Sequence, residues 1–250
     1  MTKNKRPYAV FDIDGTLIRW QLYHALADML VKKGHIDSSS YQSILKARNS
    51  WKTRDSSNSF YIYEQCLVDM FDSAVNGISY DDFMAACDDV INRYKNQVYT
   101  YTRDLIKNLK QKDYLLFAIS ASPAELVEQI ATHYGFDGFG ATKFLTNNGC
   151  ISGVGYLAHG NNKVEILENL IEKNNASSKG SIAIGDTEGD IPLLSCSERA
   201  IAFNPNRELY KHASKEGWDI VVERKNMTYQ LQYEYGRYIL APPNKRQASV

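Results

Sequence analysis

Asp12 and Asp14 stand one residue apart directly behind the apolar run of residues 8–11, and Gly15 and Thr16 follow them. Carboxylates at the point where a buried strand opens into a turn suit phosphate chemistry, because they can hold a metal ion, attack phosphorus or carry a proton. Gly15 lets the chain turn without a side chain, so that a substrate oxygen can approach the backbone N–H groups of the turn. A calcium loop is excluded, since its glycine belongs at the sixth position and a glutamate at the twelfth. Three further groups fit the same chemistry: Ser120 behind the apolar residues 115–119, Lys163 opening a helical pattern, and Gly185-Asp186-Thr187-Glu188-Gly189-Asp190 behind the apolar residues 181–184.

These groups need elements that bring them together. An apolar run such as residues 8–11 predicts the central strand of an open α/β sheet, whose ligands collect at the carboxyl ends of the strands. From residue 101 the sequence alternates between helix and strand, the pattern of a parallel sheet with helices on its faces. Helices are predicted over 102–112, 124–134, 163–173, 191–194 and 208–215, and strands over 114–119, 181–184, 200–203 and 220–222. Residues 139–145 and 151–154 flank Thr146-Asn147-Asn148-Gly149 and predict a hairpin. Ser122 and Pro123 read as the N-cap and first helical position of 124–134.

Between residues 20 and 100 the periodicity is helical throughout, which predicts an inserted all-helical module. Its helices are expected over 22–33, 38–49, 60–74 and from Tyr80, where Ser79 caps and Asp81 and Asp82 occupy the first turn. Phe83, Ala86, Cys87, Val90, Ile91 and Tyr94 form one apolar stripe, to be buried by four antiparallel helices. The domain reading is therefore a discontinuous core of 1–19 and 101–240, a helical cap of 20–100, and a disordered polar tail of 241–250.

Composition narrows the partners. With 29 basic and 29 acidic residues the 250-residue chain has no net charge, so no global field favours nucleic acid or an anionic membrane. The longest apolar runs fall far short of the roughly 18 residues that span a bilayer. Residues 1–7 are basic but have no apolar segment behind them before the strand at 8–11, so no secretory signal is read and a cytoplasmic location is expected. Cys66, Cys87, Cys150 and Cys196 show no metal-binding or disulfide spacing and are expected as buried free thiols. The five histidines show no metal-binding spacing either.

If the strands run parallel, Asp12, Asp14, Ser120 and Asp186 reach one edge, and Lys163 arrives there at a helix N-terminus that itself favours an anion. Acids packed so closely repel unless a divalent cation sits among them, and an all-oxygen donor set suits Mg2+. Asp12 can then attack phosphorus and form an aspartyl-phosphate.

The ordered set resembles the haloacid dehalogenase superfamily, in its phosphoserine-phosphatase-like branch, subfamily IB. The first motif is Asp12-Ile13-Asp14-Gly15-Thr16, the second Ser120, the third Lys163, and the fourth Gly185-Asp186 through Asp190. The resemblance implies a Rossmann-like core with a small helical cap, and an enzyme that hydrolyses a small-molecule phosphomonoester with Mg2+. It implies that Asp12 is nucleophile and metal ligand, and that Asp14 binds the metal through its carbonyl while its side chain serves as general acid and base. Ser120 and Lys163 would hold phosphate oxygens, Asp186 would be a metal ligand, and Asp190 would stand behind, orienting a water or Lys163.

Two positions depart from phosphoserine phosphatases. Gln21 stands where they carry a glutamate for the substrate's amino group, and Gly189 where they usually carry an asparagine that touches phosphate. Arg48 and Arg54, in the cap segment 48–54, are candidates to clamp an acidic group of the substrate, and Gln21 is a candidate to hydrogen-bond a substrate hydroxyl. Trp51, Tyr61 and Tyr63 read as bundle core. Phosphoserine phosphatase activity proper, phosphotransfer to an alcohol and a catalytically silent binding protein are the alternatives on this fold.

Overall fold

The computed structural model describes residues 5–39, 41–56 and 58–241. β1 (Pro7–Phe11) alternates between two buried faces, Tyr8 and Val10 entering one apolar cluster and Ala9 and Phe11 the other. β2 (Leu115–Pro123) does the same, with Leu115, Phe117 and Ile119 opposite Leu116 and Ala118. A strand covered on both faces is the environment of a parallel sheet. β3 (Gly138–Asn147), β4 (Cys150–Tyr156), β5 (Ser177–Gly185), β6 (Arg199–Phe203), β7 (Asp219–Arg224), β8 (Met227–Glu234) and β9 (Arg237–Leu240) complete it. The order is β4-β3-β2-β1-β5-β6-β7-β8-β9. β3 through β7 in that order pair parallel, while β4, β8 and β9 pair antiparallel at the edges.

From β1 the chain builds toward β2 and β3 on one side and later toward β5, β6 and β7 on the other. The crevice at the carboxyl end of β1 is therefore a topological switch point. Phe11 pairs with Ala118 of β2 and with Ile184 of β5, so the residues just beyond these three positions meet at one edge.

One sheet face is covered by α7 (Asn162–Lys173), α8 (Ile191–Ser195) and α9 (Arg207–Glu216), through Leu167, Leu170, Leu193, Leu194, Leu209 and Ala213. The other is covered by α5 (Thr100–Gln111) and α6 (Ala124–Tyr134), with Ile106, Leu109, Leu126, Val127 and Ile130. That second cluster runs on without a break into the inserted helices α1 (Leu22–Lys32), α2 (Gln42–Thr53), α3 (Ser59–Ala74) and α4 (Tyr80–Tyr94). The α4 stripe packs on α1 and also on α6 of the core, and the β3–β4 hairpin bonds the α3–α4 link through Tyr80 N–H to the Gly149 carbonyl (2.8 Å) and Ile151 N–H to the Ile78 carbonyl (2.8 Å). The two passages between sheet and helices lie side by side: Arg19 N–H bonds the Gln97 carbonyl (2.8 Å) and Tyr99 N–H the Leu17 carbonyl (3.0 Å).

Several expectations need correction. α2 starts four residues later than expected, at Gln42, and ends at Arg54 in the left-handed conformation (φ 57°). Tyr61 is 55% exposed whereas Tyr63 is fully buried, because residues two apart on a helix face nearly opposite sides. Ser122 does not cap α6: β2 continues to Pro123, which occupies the N-cap position. Among the cysteines only Cys87 is buried, and Cys196 is exposed. β8 and β9 carry no element in the sequence reading, since their half-polar alternation lacks an apolar run. They join through Tyr235 and Gly236, both at positive φ (50° and 79°), the geometry of a tight hairpin. Ala241 N–H bonds the Gln230 carbonyl at 2.8 Å; residues 242–250 of the expected tail lie outside the described residues.

Candidate active site

Asp12 follows β1, and its N–H donates to the Ile184 carbonyl of β5 at 2.9 Å, which fixes the carboxylate over the switch point. Gly15 turns the chain at φ 79°. A Cβ at Gly15 would stand 2.2 Å from Asp186 Oδ2, so the close approach of the Asp186 carboxylate to this loop requires glycine. Thr16 Oγ1 donates to Asp186 Oδ1 at 3.1 Å. Gly15→Ala is expected to cost about 1–2 kcal/mol from the left-handed conformation alone and to displace Asp186. Denaturant unfolding and Mg2+ titration of the variant check this, and unchanged values in both would refute the cradle.

Lys163, on the first turn of α7 and 4% exposed, bridges the acids. Its Nζ is 2.7 Å from Asp12 Oδ1 and 2.6 Å from Asp190 Oδ1. Burial alone would favour the neutral amine, but Asp12 and Asp190 more than offset it, so the Lys163 pKa is raised and the side chain stays cationic. Asp190 is tied on its other oxygen as well, accepting from Asp186 N–H (3.1 Å), Thr187 N–H (3.1 Å) and Thr187 Oγ1 (3.3 Å). It closes a capping box over the 3₁₀ turn Glu188–Asp190.

Asp14 turns the other way. Its Oδ2 accepts from Ser120 Oγ at 2.6 Å and its Oδ1 from Leu22 N–H, while Ser120 Oγ itself accepts from Ser122 N–H at 2.9 Å. Burial raises the Asp14 pKa, and these hydrogen bonds lower it in part, so the protonated form of this carboxyl is favoured relative to an exposed one.

Carboxylate oxygens of Asp12, Asp186 and Asp190 lie within 4.8 Å of one another. Burial raises the pKa of Asp12 and of Asp186, and the neighbouring acids add to the rise. Such a cluster is uncomfortable when ionised and becomes favourable around a divalent cation. The donors are all oxygen, which suits Mg2+. Since Asp190 spends both oxygens on Lys163 and the backbone, Asp12 and Asp186 are the side chains with capacity for a metal. Together with Lys163 and the hydroxyls, this arrangement can hold a cation and a phosphoryl group side by side.

A sequence profile of the haloacid dehalogenase-like hydrolases matches residues 9–195, a span that contains every one of these groups. The chain belongs to that family. Among the haloacid dehalogenase-like hydrolases, phosphoserine phosphatase SerB1 of Mycobacterium tuberculosis is 29% identical over 127 residues, covering 50% of this chain and 41% of the relative. This chain thus spans less than half the length of that curated relative. A protein of unknown function from Bordetella pertussis shares the fold at a TM-score of 0.69 and 20% identity, over 87% of this chain and 98% of that one. A substrate-bound phosphoserine phosphatase matches at 0.63 and 21%, over 89% and 95%. No described helix of this family member is long and apolar enough to cross a membrane.

The structure brings Asp12, Asp14, Ser120, Lys163, Asp186 and Asp190 together and treats the three cap candidates differently. Arg48 is spent within the cap: Nη1 and Nη2 pair with Asp28 at 3.0 and 2.8 Å, Nε donates to Tyr63 OH at 2.9 Å, and Nη2 also reaches Tyr41 OH at 2.8 Å. That leaves little of its guanidinium for a ligand, which corrects the expected clamp. Arg54 lines a cavity of about 370 Å³ with Trp51, Ser56, Ser59, Phe60 and Arg207 at the seam between cap helices and α9. Gln21 is the N-cap position of α1, next to the N–H that bonds Asp14, and its side chain makes no capping bond. Gly189 leaves room for His159, whose Cε1 would lie 3.0 Å from a Cβ there.

Sequence reasoning missed Glu64, on α3. Burial pushes its pKa up to about 7, and the charges of Glu188 and Asp14 add to the rise. One charged residue in an amphipathic helix carries no signal that separates a site-facing position from a solvated one.

Proposed function

We propose that this haloacid dehalogenase-like hydrolase is a Mg2+-dependent phosphatase that cleaves a small-molecule phosphomonoester through an aspartyl-phosphate on Asp12. The observation that carries the reading is the Lys163 bridge between Asp12 and Asp190, beside Asp186 and opposite Asp14. Asp12 and Asp186, with the Asp14 carbonyl, would hold the metal, which would supply charge to offset that of the phosphate and the repulsion among the acids.

Asp12 attacks phosphorus, and the bond to the leaving oxygen breaks as Asp14 delivers its proton to the alkoxide. Asp14, then ionised, takes a proton from the water that attacks the aspartyl-phosphate and releases inorganic phosphate. Lys163 offsets the negative charge of the phosphoryl oxygens and Asp190 holds Lys163, while Ser120, whose one hydroxyl hydrogen goes to Asp14 in the structure, would turn it to a phosphate oxygen when substrate binds. Residues 20–100 act as a cap on the core formed by 1–19 and 101–240, the paired passages at Arg19 and Tyr99 being the natural hinge.

The test is release of inorganic phosphate from a panel of phosphomonoesters with Mg2+ or with a chelator, alongside thermal unfolding at several pH values. Turnover is expected only with the metal. The raised carboxylates predict the pH trend: their stabilising contribution is complete below the ordinary value of 3.8 and is lost as pH rises through their folded values. The chelated protein therefore loses stability toward neutral and alkaline pH, and the Mg2+-induced rise in melting temperature grows over about pH 5 to 8. A metal increment that is flat across that range, with equal turnover under chelation, would sink the metal assignment.

A further inference from the structure

The cavity at the cap seam takes no part in the chemistry above. It encloses about 370 Å³ between Trp51, Arg54, Ser56, Ser59 and Phe60 of the cap and Arg207 of the core, a volume on the scale of a small-molecule subsite. Both walls adjoin the loops that carry Asp14 and Asp186. Arg207 opens α9 directly behind Asn206, whose N–H donates to the Asp186 carbonyl at 2.9 Å. Trp51 lies 6.2 Å, ring to ring, from Trp20, and the Trp20 carbonyl accepts from Gly15 N–H at 3.3 Å.

The charge of this space is one-sided. Among the described residues neither the Arg54 nor the Arg207 guanidinium makes a hydrogen bond or an ion pair, and Arg207 also stands at the positive end of a ten-residue helix. The acids nearest along the chain are engaged elsewhere: Asp55 accepts from Thr53 Oγ1 at 2.6 Å, Glu188 accepts from Asn206 Nδ2, and Glu208 pairs with Lys211 at 2.8 Å. Two cations brought to one cavity from separate parts of the chain repel, and an anion between them removes the repulsion. A guanidinium presents a planar fork of donors that matches carboxylate and phosphate. Trp51 and Phe60, 5.1 Å apart between ring centroids, give the same cavity an apolar wall.

We propose that this cavity is a second anion subsite, in which Arg54 of the cap and Arg207 of the core together hold a carboxylate or phosphate at the end of the substrate remote from the ester being cleaved. The substrate class is then a phosphomonoester whose alcohol half carries a second acidic group beyond an apolar or ring-shaped body. This rests on the phosphatase reading above and narrows it. Arg207 takes the place expected of Arg48. Because the two arginines belong to different parts of the fold, an anion between them also draws the cap onto the core.

Steady-state kinetics in Mg2+ with phenyl phosphate, its 4-carboxamide, its 4-carboxylate and benzene-1,4-diol bisphosphate tests the inference. The carboxamide keeps the size of the carboxylate without its charge, and comparison of the carboxylate with the bisphosphate shows which kind of acid the subsite takes. The wild-type protein is expected to prefer at least one of the two acidic esters over the carboxamide by about tenfold in kcat/KM, chiefly through KM. Arg54 and Arg207 are exposed, so their substitution should leave the fold intact. Arg54→Gln and Arg207→Gln should each reduce the preference about threefold, and the double substitution should bring it to within about twofold of unity. Raising salt from about 0.05 to 0.5 M should shrink it as well, since exposed charges are screened. Equal use of the acidic esters and the carboxamide by the wild-type protein overturns the proposal without any variant, as does a preference that the double substitution leaves in place. Either result leaves the phosphatase reading standing. Absence of turnover of every ester by the wild-type protein in Mg2+ removes the phosphatase reading and this inference together.

Discussion

Asp12→Asn is expected to remove phosphatase turnover, by at least roughly 10⁴-fold, the scale seen when a covalent nucleophile is deleted. The amide keeps the shape of the carboxylate but cannot form the acyl-phosphate bond, and its charge no longer helps to hold a metal. Folding should survive, because the position lies in a cluster where burial already disfavours the charged carboxylate. Lys163 retains Asp190 at 2.6 Å as its partner. The measurements are phosphate release and thermal unfolding on the same preparation. Trapping of radiolabelled phosphate on the wild-type protein, absent from the variant, would place the covalent bond. Turnover within an order of magnitude of wild type would take Asp12 out of the reaction.

Lys163→Met should damage both activity and stability. The side chain is 4% exposed and lies within 2.7 Å of two carboxylates. Removing one member of a buried ionic group leaves the others uncompensated, at a cost of about 3–5 kcal/mol. The sign with pH follows from the raised Lys163 pKa: its contribution is fully present below the ordinary lysine value of 10.5 and lost only above it, so at neutral pH the variant forfeits all of it. As pH falls and the raised carboxylates take up protons, the deficit should shrink. Turnover should drop by about 10²–10³-fold, the effect of deleting one group that stabilises developing charge. Denaturation midpoints at neutral and acidic pH, with kinetics at saturating Mg2+, check the pair of effects. A variant as stable as wild type at neutral pH would show that the bridge carries no weight.

The groups proposed for catalysis were legible in the sequence because their order along the chain copies the logic of the fold. Asp12, Ser120 and Asp186 each follow an apolar run, and parallel strands buried on both faces can only deliver the ends of those runs to one edge. The helical insert was legible for a similar reason, its 3.6-residue period being strong in α4, where Ser79 caps the helix by accepting from Asp82 N–H at 3.1 Å. The edge hairpin β8–β9 was not legible, since an edge strand half open to water needs no apolar run. Ser122 was misread because Ser-Pro before a helix is locally a good cap, and only the extension of β2 to Pro123 and its pairing with Thr142 decide otherwise.

Side chains that meet across elements lie beyond a one-dimensional reading altogether. Arg48 had the composition of a substrate clamp and found Asp28 twenty residues away; Glu64 carried no reading in the sequence, and it is burial first of all that pushes its pKa up to about 7. By itself the sequence determined which chemistry is possible here, because residue types and their place after each strand are local facts. Only the tertiary structure decided which charges are paired and which are left open, because burial and distance exist only once distant segments pack.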